Sequence, residues 1–187
     1  MKNFLNQSLK ILLITNSLIL IAGAMLGPIY ALFVEQIGGD LLDASFAGGI
    51  FAVVAGITTL LAGNYADKIK ENELIIVFGY FVMGIGFFLY IFVDSVMFIF
   101  IVQALIGFAE ALYSPAFNAI YSKHLIRHRE AYSWSAWEAM NYFTVAFGSA
   151  LGGLIVYYFS FDIIFIIMAM LCFSSAIYIY FLPRKVL

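Results

Sequence analysis

The chain has 187 residues, of which 65% are hydrophobic and only 11% are charged, and its mean hydropathy is +1.04. Soluble domains contain about 45 to 50% apolar residues, so a water-soluble globular fold is excluded. The net charge is only −2 and there is no long acidic or basic tail, so no nucleic-acid partner is expected.

Six apolar stretches follow one another along the chain. Each approaches or exceeds the ~20 residues that a helix needs to cross a bilayer. The first is too long for a removable signal peptide, so we expect it to stay in the mature protein. The sequence therefore predicts an all-α polytopic membrane protein, a single domain over residues 1–187 with six transmembrane helices. The predicted spans are residues 11–34, 44–66, 74–93, 96–121, 132–158 and 163–182.

The basic residues all fall on one side of this six-span arrangement, whereas the loops on the other side carry only acidic residues. Because Lys and Arg concentrate in cytoplasmic loops, we expect an integral protein of the plasma (inner) membrane with both termini in the cytoplasm. The basic residues are Lys2, Lys10, Lys68, Lys70, Lys123, Arg127, Arg129, Arg184 and Lys185; the acidic ones opposite are Glu35, Asp40, Asp43, Asp94 and Asp162.

Two proline-containing segments resemble each other. AMLGPIYALF at 24–33 aligns with ALYSPAFNAI at 111–120, with Pro28 on Pro115, at an offset of 87 residues. The same offset lays span two on span five and span three on span six. Since each unit has three spans, the two units have opposite topology, which is typical of secondary transporters. We predict inverted repeats at about 11–93 and 96–182; a chance match of two helices is the alternative.

Polar residues concentrate in spans one, two, four and five, and spans three and six hold little beyond Ser and Tyr. Because unpaired polar groups in hydrocarbon are costly, we expect the first group of spans to face a cavity and spans three and six to face lipid. The polar residues are Asn16, Thr58, Thr59, Asn64, Gln103, Glu110, Asn118, Glu138, Asn141 and Thr144.

Glu110 is the most unusual of these residues, because it lies near the middle of span four with no Lys or Arg in that span. Burial of a lone carboxylate favours its neutral form, so proton uptake and release is the natural chemistry. The alternative is a protonated structural Glu bonded to a neighbouring helix. We predict a pathway for substrate and protons that is lined by Glu110, Gln103, Asn16, Tyr30, Tyr113 and Asn141.

Three segments resemble the amino-terminal half of a major facilitator superfamily transporter. They are GPIYALFVEQIGG at 27–39, GNYADK at 63–68 after span two, and GSALGG at 148–153 in span five. The loop signature keeps Gly63, Asp67 and Lys68, but Lys70 stands in place of its second glycine. The resemblance implies a secondary active transporter that moves a small solute by alternating access, with no enzymatic activity and no cofactor.

The same resemblance suggests how the helices move. We expect Gly63, Asp67 and Lys68 to form a gating loop together with Glu138, which lies near the cytoplasmic surface; an interfacial role for Glu138 beside Trp134 and Trp137 is the alternative. Small residues at turn spacing let helices approach closely, although glycine is also common in membrane helices generally. The predicted helix-packing residues are Gly107, Gly148, Gly152 and Gly153.

Members of the family usually have twelve spans, whereas the present sequence has six. If the chain is complete, we expect the other half to come from a second copy in a homodimer. The alternative is a truncated or non-transporting half-transporter subunit that pairs with another membrane protein. An intramembrane serine hydrolase is excluded, since His124 and His128 lie outside the spans, far from Ser149. Those histidines stand in a basic segment without a third ligand, so no metal site is predicted.

Overall fold

The computed structural model describes residues 6–69 and 71–183. Lys2, Lys70, Arg184 and Lys185, which contribute to the charge asymmetry, lie outside the described residues. Helices make up almost all of the described chain, and no strand occurs in it, which confirms the predicted all-α class. The helices are α1 (Gln7–Leu26), α2 (Tyr30–Gln36), α3 (Leu41–Ala66), α4 (Asn72–Leu89), α5 (Val96–Lys123), α6 (Glu130–Tyr158) and α7 (Phe161–Tyr180).

The six predicted spans correspond to these helices. Span one comprises α1 and α2, joined by a 3₁₀ turn at Gly27–Ile29 that contains Pro28. Pro115, the repeat counterpart of Pro28, lies inside the continuous helix α5 instead. The described residues thus contain six helical segments long and apolar enough to cross a membrane.

Local side chains explain where two of the helices begin. The Asn6 side chain accepts a hydrogen bond from the Leu9 N–H at 2.8 Å, which caps α1. Asp40 and Asp43 form a reciprocal capping box at the start of α3, with both bonds 2.9 Å long. Such caps satisfy N–H groups that have no partner within the helix.

Neighbouring helices pack in the order α3, α5, α4, α7, α1, α6. Exchanging the two predicted repeats (α1 for α5, α3 for α6, α4 for α7) reverses this order and leaves every neighbour pair in place. That is the pattern expected of two inverted three-helix units and of half of a major facilitator fold. The sequence limits of the repeats, and the extent of the domain, stay predictions.

Helices α3 and α6 occupy the two ends of this order and are the least buried. In their apolar stretches only 11% and 17% of the residues are buried, against 33% to 44% in the other four spans. Helices α4 and α7 pack against each other in the middle of the order, away from these ends. The molecule therefore has one side on which α3 and α6 lack covering helices.

Three of the four predicted packing glycines lie at close helix contacts. A Cβ atom at Gly107 would lie 2.5 Å from the Phe51 carbonyl oxygen of α3, and one at Gly148 would lie 2.8 Å from the Ile21 carbonyl oxygen of α1. At Gly152 it would collide with the Met25 backbone. Gly153 differs from the expectation: a Cβ there would meet no described atom within 4 Å. Successive residues of a helix differ in direction by about 100°, so Gly153 points away from the contact that α6 makes with α1 at Gly152.

We predict that Gly152→Ala lowers the midpoint of thermal unfolding in lipid nanodiscs. The added methyl group would collide with the Met25 backbone, and such overpacking costs about 1 to 3 kcal/mol. Gly153→Ala is the matched control, and it should be neutral or stabilising because alanine is the better helix former by up to ~1 kcal/mol. Equal effects of the two substitutions would contradict close α1–α6 packing at Gly152.

Candidate functional site

A cavity of about 650 Å³ lies on the side of the molecule where α3 and α6 lack covering helices. Residues from α1 to α6 contribute to its wall, including Ala44 and Phe51 of α3 and Val145 and Ser149 of α6. Most of the wall is apolar. Four of the six predicted pathway residues line it: Glu110, Gln103, Tyr30 and Tyr113.

Glu110 lies halfway along α5, 14 residues after Val96 and 13 before Lys123. At ~1.5 Å per residue this position is close to the middle of a bilayer. The side chain is exposed to the cavity and forms no hydrogen bond or ion pair with any residue that the structure describes. Its carboxylate is thus available to a solute or to water in the cavity.

The proline in α5 changes the backbone beside Glu110. Pro115 has no N–H group, which removes the usual helical donor for the carbonyl of Ala111, the residue after Glu110. An unpaired carbonyl prefers a polar neighbour. The centre of α5 therefore offers both a carboxylate and a weakened stretch of backbone hydrogen bonding.

Gln103 and Tyr30 form a second polar position in the same cavity. Gln103 lies seven residues before Glu110 on α5, which is two helical turns away on the same face. The Tyr30 hydroxyl is shielded from solvent and meets hydrogen-bond geometry with no described residue. Gln103 and Tyr90 lie beside it. Tyr30, Gln103 and Tyr90 therefore form one polar group at the cavity wall.

The remaining two predicted pathway residues do not line the cavity. Asn16 is only 3% exposed and lies inside the helix bundle, where its Oδ1 accepts a hydrogen bond from the Tyr80 hydroxyl at 3.0 Å. Asn141 is half-buried in α6, and its backbone carbonyl accepts from the Thr144 hydroxyl at 2.8 Å. Two of the six pathway residues are thus separate from the other four.

Sequence reasoning missed Tyr80 and Tyr90 as neighbours of the site. Tyr90 lines the cavity from the 3₁₀ turn after α4, and Tyr80 is a fully buried residue of α4. Both lie in span three, which was predicted to face lipid because it contains few polar residues. The tyrosines were the available signal, since a buried tyrosine usually needs a partner for its hydroxyl.

The predicted gating residues lie at the end of α3 and near the start of α6. Asp67 ends α3, where its N–H donates to the Gly63 carbonyl at 3.2 Å. Asp67, Lys68 and Glu138 are all exposed. The described residues show no ion pair between Glu138 and Lys68.

Comparison with known proteins identifies the class to which this fold and cavity belong. The Major Facilitator Superfamily model matches residues 12–186, and the chain belongs to that superfamily. It is an integral membrane protein.

Individual relatives match over a shorter part of the chain. The multidrug resistance protein MdtG of Salmonella typhimurium is 31% identical over 70 residues, which are 35% of this chain and 17% of that protein. MdtG of Yersinia enterocolitica is 32% identical over 69 residues, with the same shares of the two chains. The matched region is thus a small part of these relatives.

We predict that a cysteine at position 110 reacts with a membrane-impermeant thiol reagent, whereas one at position 109 does not. Glu110 is exposed in the cavity and Ala109 is fully buried one residue earlier. The measurement is labelling of Glu110→Cys and Ala109→Cys in a Cys172→Ser background, followed by mass spectrometry. Equal labelling at both positions would show that the cavity does not lie on the face of α5 that carries Glu110.

Proposed function

We propose that this chain forms half of a secondary active transporter, which moves a small solute across the plasma membrane by alternating access. The observation that carries the proposal is the cavity on the side of the bundle between α3 and α6, with Glu110 exposed in it halfway along α5. Membership of the Major Facilitator Superfamily supports it. Such carriers work by conformational change, so the proposal includes no enzymatic step and no cofactor.

The cavity chemistry favours an uncharged or cationic solute with apolar surface. Its wall is mainly aliphatic and aromatic. Among the described residues, Glu110 is its one carboxylic acid, and no Lys or Arg contributes to it. An anionic solute would lack a charge partner there. The relatives' name, multidrug resistance protein, supports a small organic molecule as cargo.

Glu110 is the proposed site of proton coupling. A carboxylate that lacks an ion-pair partner at mid-bilayer depth can take up a proton from one side and release it to the other. One proton that moves down ~100 mV and one pH unit supplies about 3.7 kcal/mol, enough for a solute gradient of a few hundred-fold. Exchange of a proton for a cationic solute on one carboxylate would link the two movements.

A second six-helix unit is needed to cover α3 and α6, and we propose a second copy of this chain. Side chains such as Phe46 and Leu60 of α3, and Tyr142 and Phe143 of α6, are more than 60% exposed. The basic residues at one end of the bundle favour one orientation, with the termini in the cytoplasm. Two copies would then be parallel, and a two-fold axis along the membrane normal would join their cavities.

The gating residues supply a specific contact for this assembly. Asp67 of one copy is proposed to meet the amino end of α6 of the other, where the helix dipole attracts a carboxylate by up to about 1 or 2 kcal/mol. Both groups lie at the basic end of the bundle. The competing assembly is a half-transporter subunit that pairs with a different membrane protein through the same α3 and α6 surface.

We predict that Glu110→Gln abolishes solute-dependent proton movement and leaves the protein folded. The amide keeps the shape of the side chain but cannot exchange a proton. The measurement is proton uptake into liposomes that contain purified protein. Glu35→Gln, which removes an exposed carboxylate at the end of α2, is the control and should behave as the unmodified protein. Unchanged proton uptake by Glu110→Gln would rule out coupling through this residue.

We also predict that Asp67→Cys crosslinks to Ser135→Cys of a second copy in a Cys172→Ser background. Ser135 is exposed in the second turn of α6, whereas Ser133 is fully buried. Ser133→Cys is thus the matched control and should not crosslink. A monomer by native mass spectrometry in nanodiscs, with no crosslink at position 135, would overturn the homodimer and favour pairing with a different protein.

A further inference from the structure

A line of four polar side chains runs from the cavity into the interior of the bundle. It begins at Glu110, continues through Tyr113 and Tyr80, and ends at Asn16. The four residues lie on α5, α4 and α1. Asn16, which does not line the cavity, is thereby connected to Glu110, which does.

Each step in this line has its own contact. Tyr113 lies one helical turn after Glu110, lines the same cavity and is within electrostatic range of the Glu110 carboxylate. The rings of Tyr80 and Tyr113 pack edge to face, with centroids 4.8 Å apart and planes at 73°. The Tyr80 hydroxyl donates to Asn16 Oδ1 at 3.0 Å, and both residues are buried. The Tyr113–Tyr80 and Tyr80–Asn16 steps are thus direct contacts, and the first step joins two neighbours on the cavity face of α5.

Gly79 allows the central contact. A Cβ atom at this position would lie 2.6 Å from the Tyr113 Cβ and 3.1 Å from the Ala109 carbonyl oxygen. Helix α4 therefore approaches the backbone of α5 at the turn that carries Tyr113. This approach places the neighbouring residue, Tyr80, against the Tyr113 ring.

We propose that Tyr80 and Asn16 are positioning residues, which hold the Tyr113 phenol beside Glu110 and so set how readily that carboxylate exchanges its proton. The inference rests on the proposed role of Glu110. It also gives α1 a connection to the proton site, because the Tyr80–Asn16 hydrogen bond links α1 to α4 and α4 packs closely on α5. A shift of α1 against α4 would strain the Tyr80–Asn16 bond and alter the surroundings of Glu110.

Few other titratable groups surround this line. The phenols of Tyr30 and Tyr90 share the cavity with Glu110. The Cys172 thiol of α7 lies within electrostatic range of Tyr80 and Tyr113. The cavity wall contains no Lys, Arg or Asp among the described residues. Tyr113 is thus the nearest candidate on the same helix face for tuning Glu110.

The test is infrared difference spectroscopy of the full chain in nanodiscs, titrated over pH. The Glu110→Gln variant identifies the carboxyl band of Glu110. Tyr113→Phe, which removes the polar phenol one turn from the carboxylate, should shift the midpoint of that band by about half a pH unit to one unit. Tyr80→Phe, which keeps the ring and removes only the hydroxyl, should shift it in the same direction by less. Tyr178→Phe, at an exposed position on α7, is the control and should leave the midpoint unchanged.

The double variant Tyr80→Phe/Tyr113→Phe separates positioning from a direct effect. If Tyr80 acts only through Tyr113, the double variant should match Tyr113→Phe alone. Asn16→Leu/Tyr80→Phe leaves no orphaned polar atom and should reproduce the Tyr80→Phe shift even if the single variant folds poorly.

Two results would overturn the proposal in distinguishable ways. A Glu110 band that titrates but does not move in Tyr80→Phe, or shifts that simply add in the double variant, would refute the positioning role and leave proton coupling through Glu110 intact. A spectrum with no band sensitive to Glu110→Gln would refute both the positioning role and the proposed proton site.

Discussion

The arrangement of the bundle depends on backbone contact between helices at glycine. Helix α6 lies so close to α1 that the Met25 backbone leaves no room for a side chain at Gly152, and α3 approaches α5 in the same way at Gly107. In a bilayer the hydrophobic effect does not drive helices together, so close packing of small residues carries much of their association. These two contacts hold α3 and α6 at opposite ends of the helix order. The cavity between them follows from that separation.

The two repeats use these contacts unequally. At the repeat offset, Gly148 and Gly152 of α6 correspond to Leu61 and Tyr65 of α3. The larger pair cannot approach α5 as the glycines approach α1, and both residues line a second, mostly apolar cavity of about 610 Å³ between α3, α4 and α5. The repeats thus share a helix order, but their close glycine contacts lie at different positions.

Buried polar groups are concentrated where α1 meets its neighbours. Ser175 of α7 donates to the Thr15 carbonyl at 3.0 Å, one residue from the Asn16–Tyr80 bond. Because no water is available in hydrocarbon, such bonds determine which helix faces meet. The same packing leaves Glu110 on the cavity side of α5, without a partner from another helix. The bundle therefore pairs the buried polar groups around α1 and still presents one unpaired carboxylate, Glu110, in the cavity.

Much of the fold could be predicted from composition and spacing, because the thickness of a bilayer sets the length of the apolar stretches that cross it. That reasoning predicted six spans, their opposite-facing repeats and a central acid at Glu110. It also grouped Glu110 with Gln103, because residues seven positions apart on one helix lie on the same face whatever that helix packs against. The positions of Asn16 and Gly153 could not be obtained in this way.

Those positions depend on which helices become neighbours, and local sequence carries little information about that. Asn16 was expected in the cavity because polar residues avoid lipid, but a buried tyrosine on α4 satisfies it equally well. The Tyr80 hydroxyl indicates that a partner is needed if the residue is buried, but the sequence does not show which helix supplies that partner. The sequence by itself determined the membrane setting, the helix count and the central carboxylate. Only the tertiary structure decided which polar residues share the cavity. A hydrogen bond such as that between Asn16 and Tyr80, which are 64 residues apart in the sequence, forms only after the helices have packed.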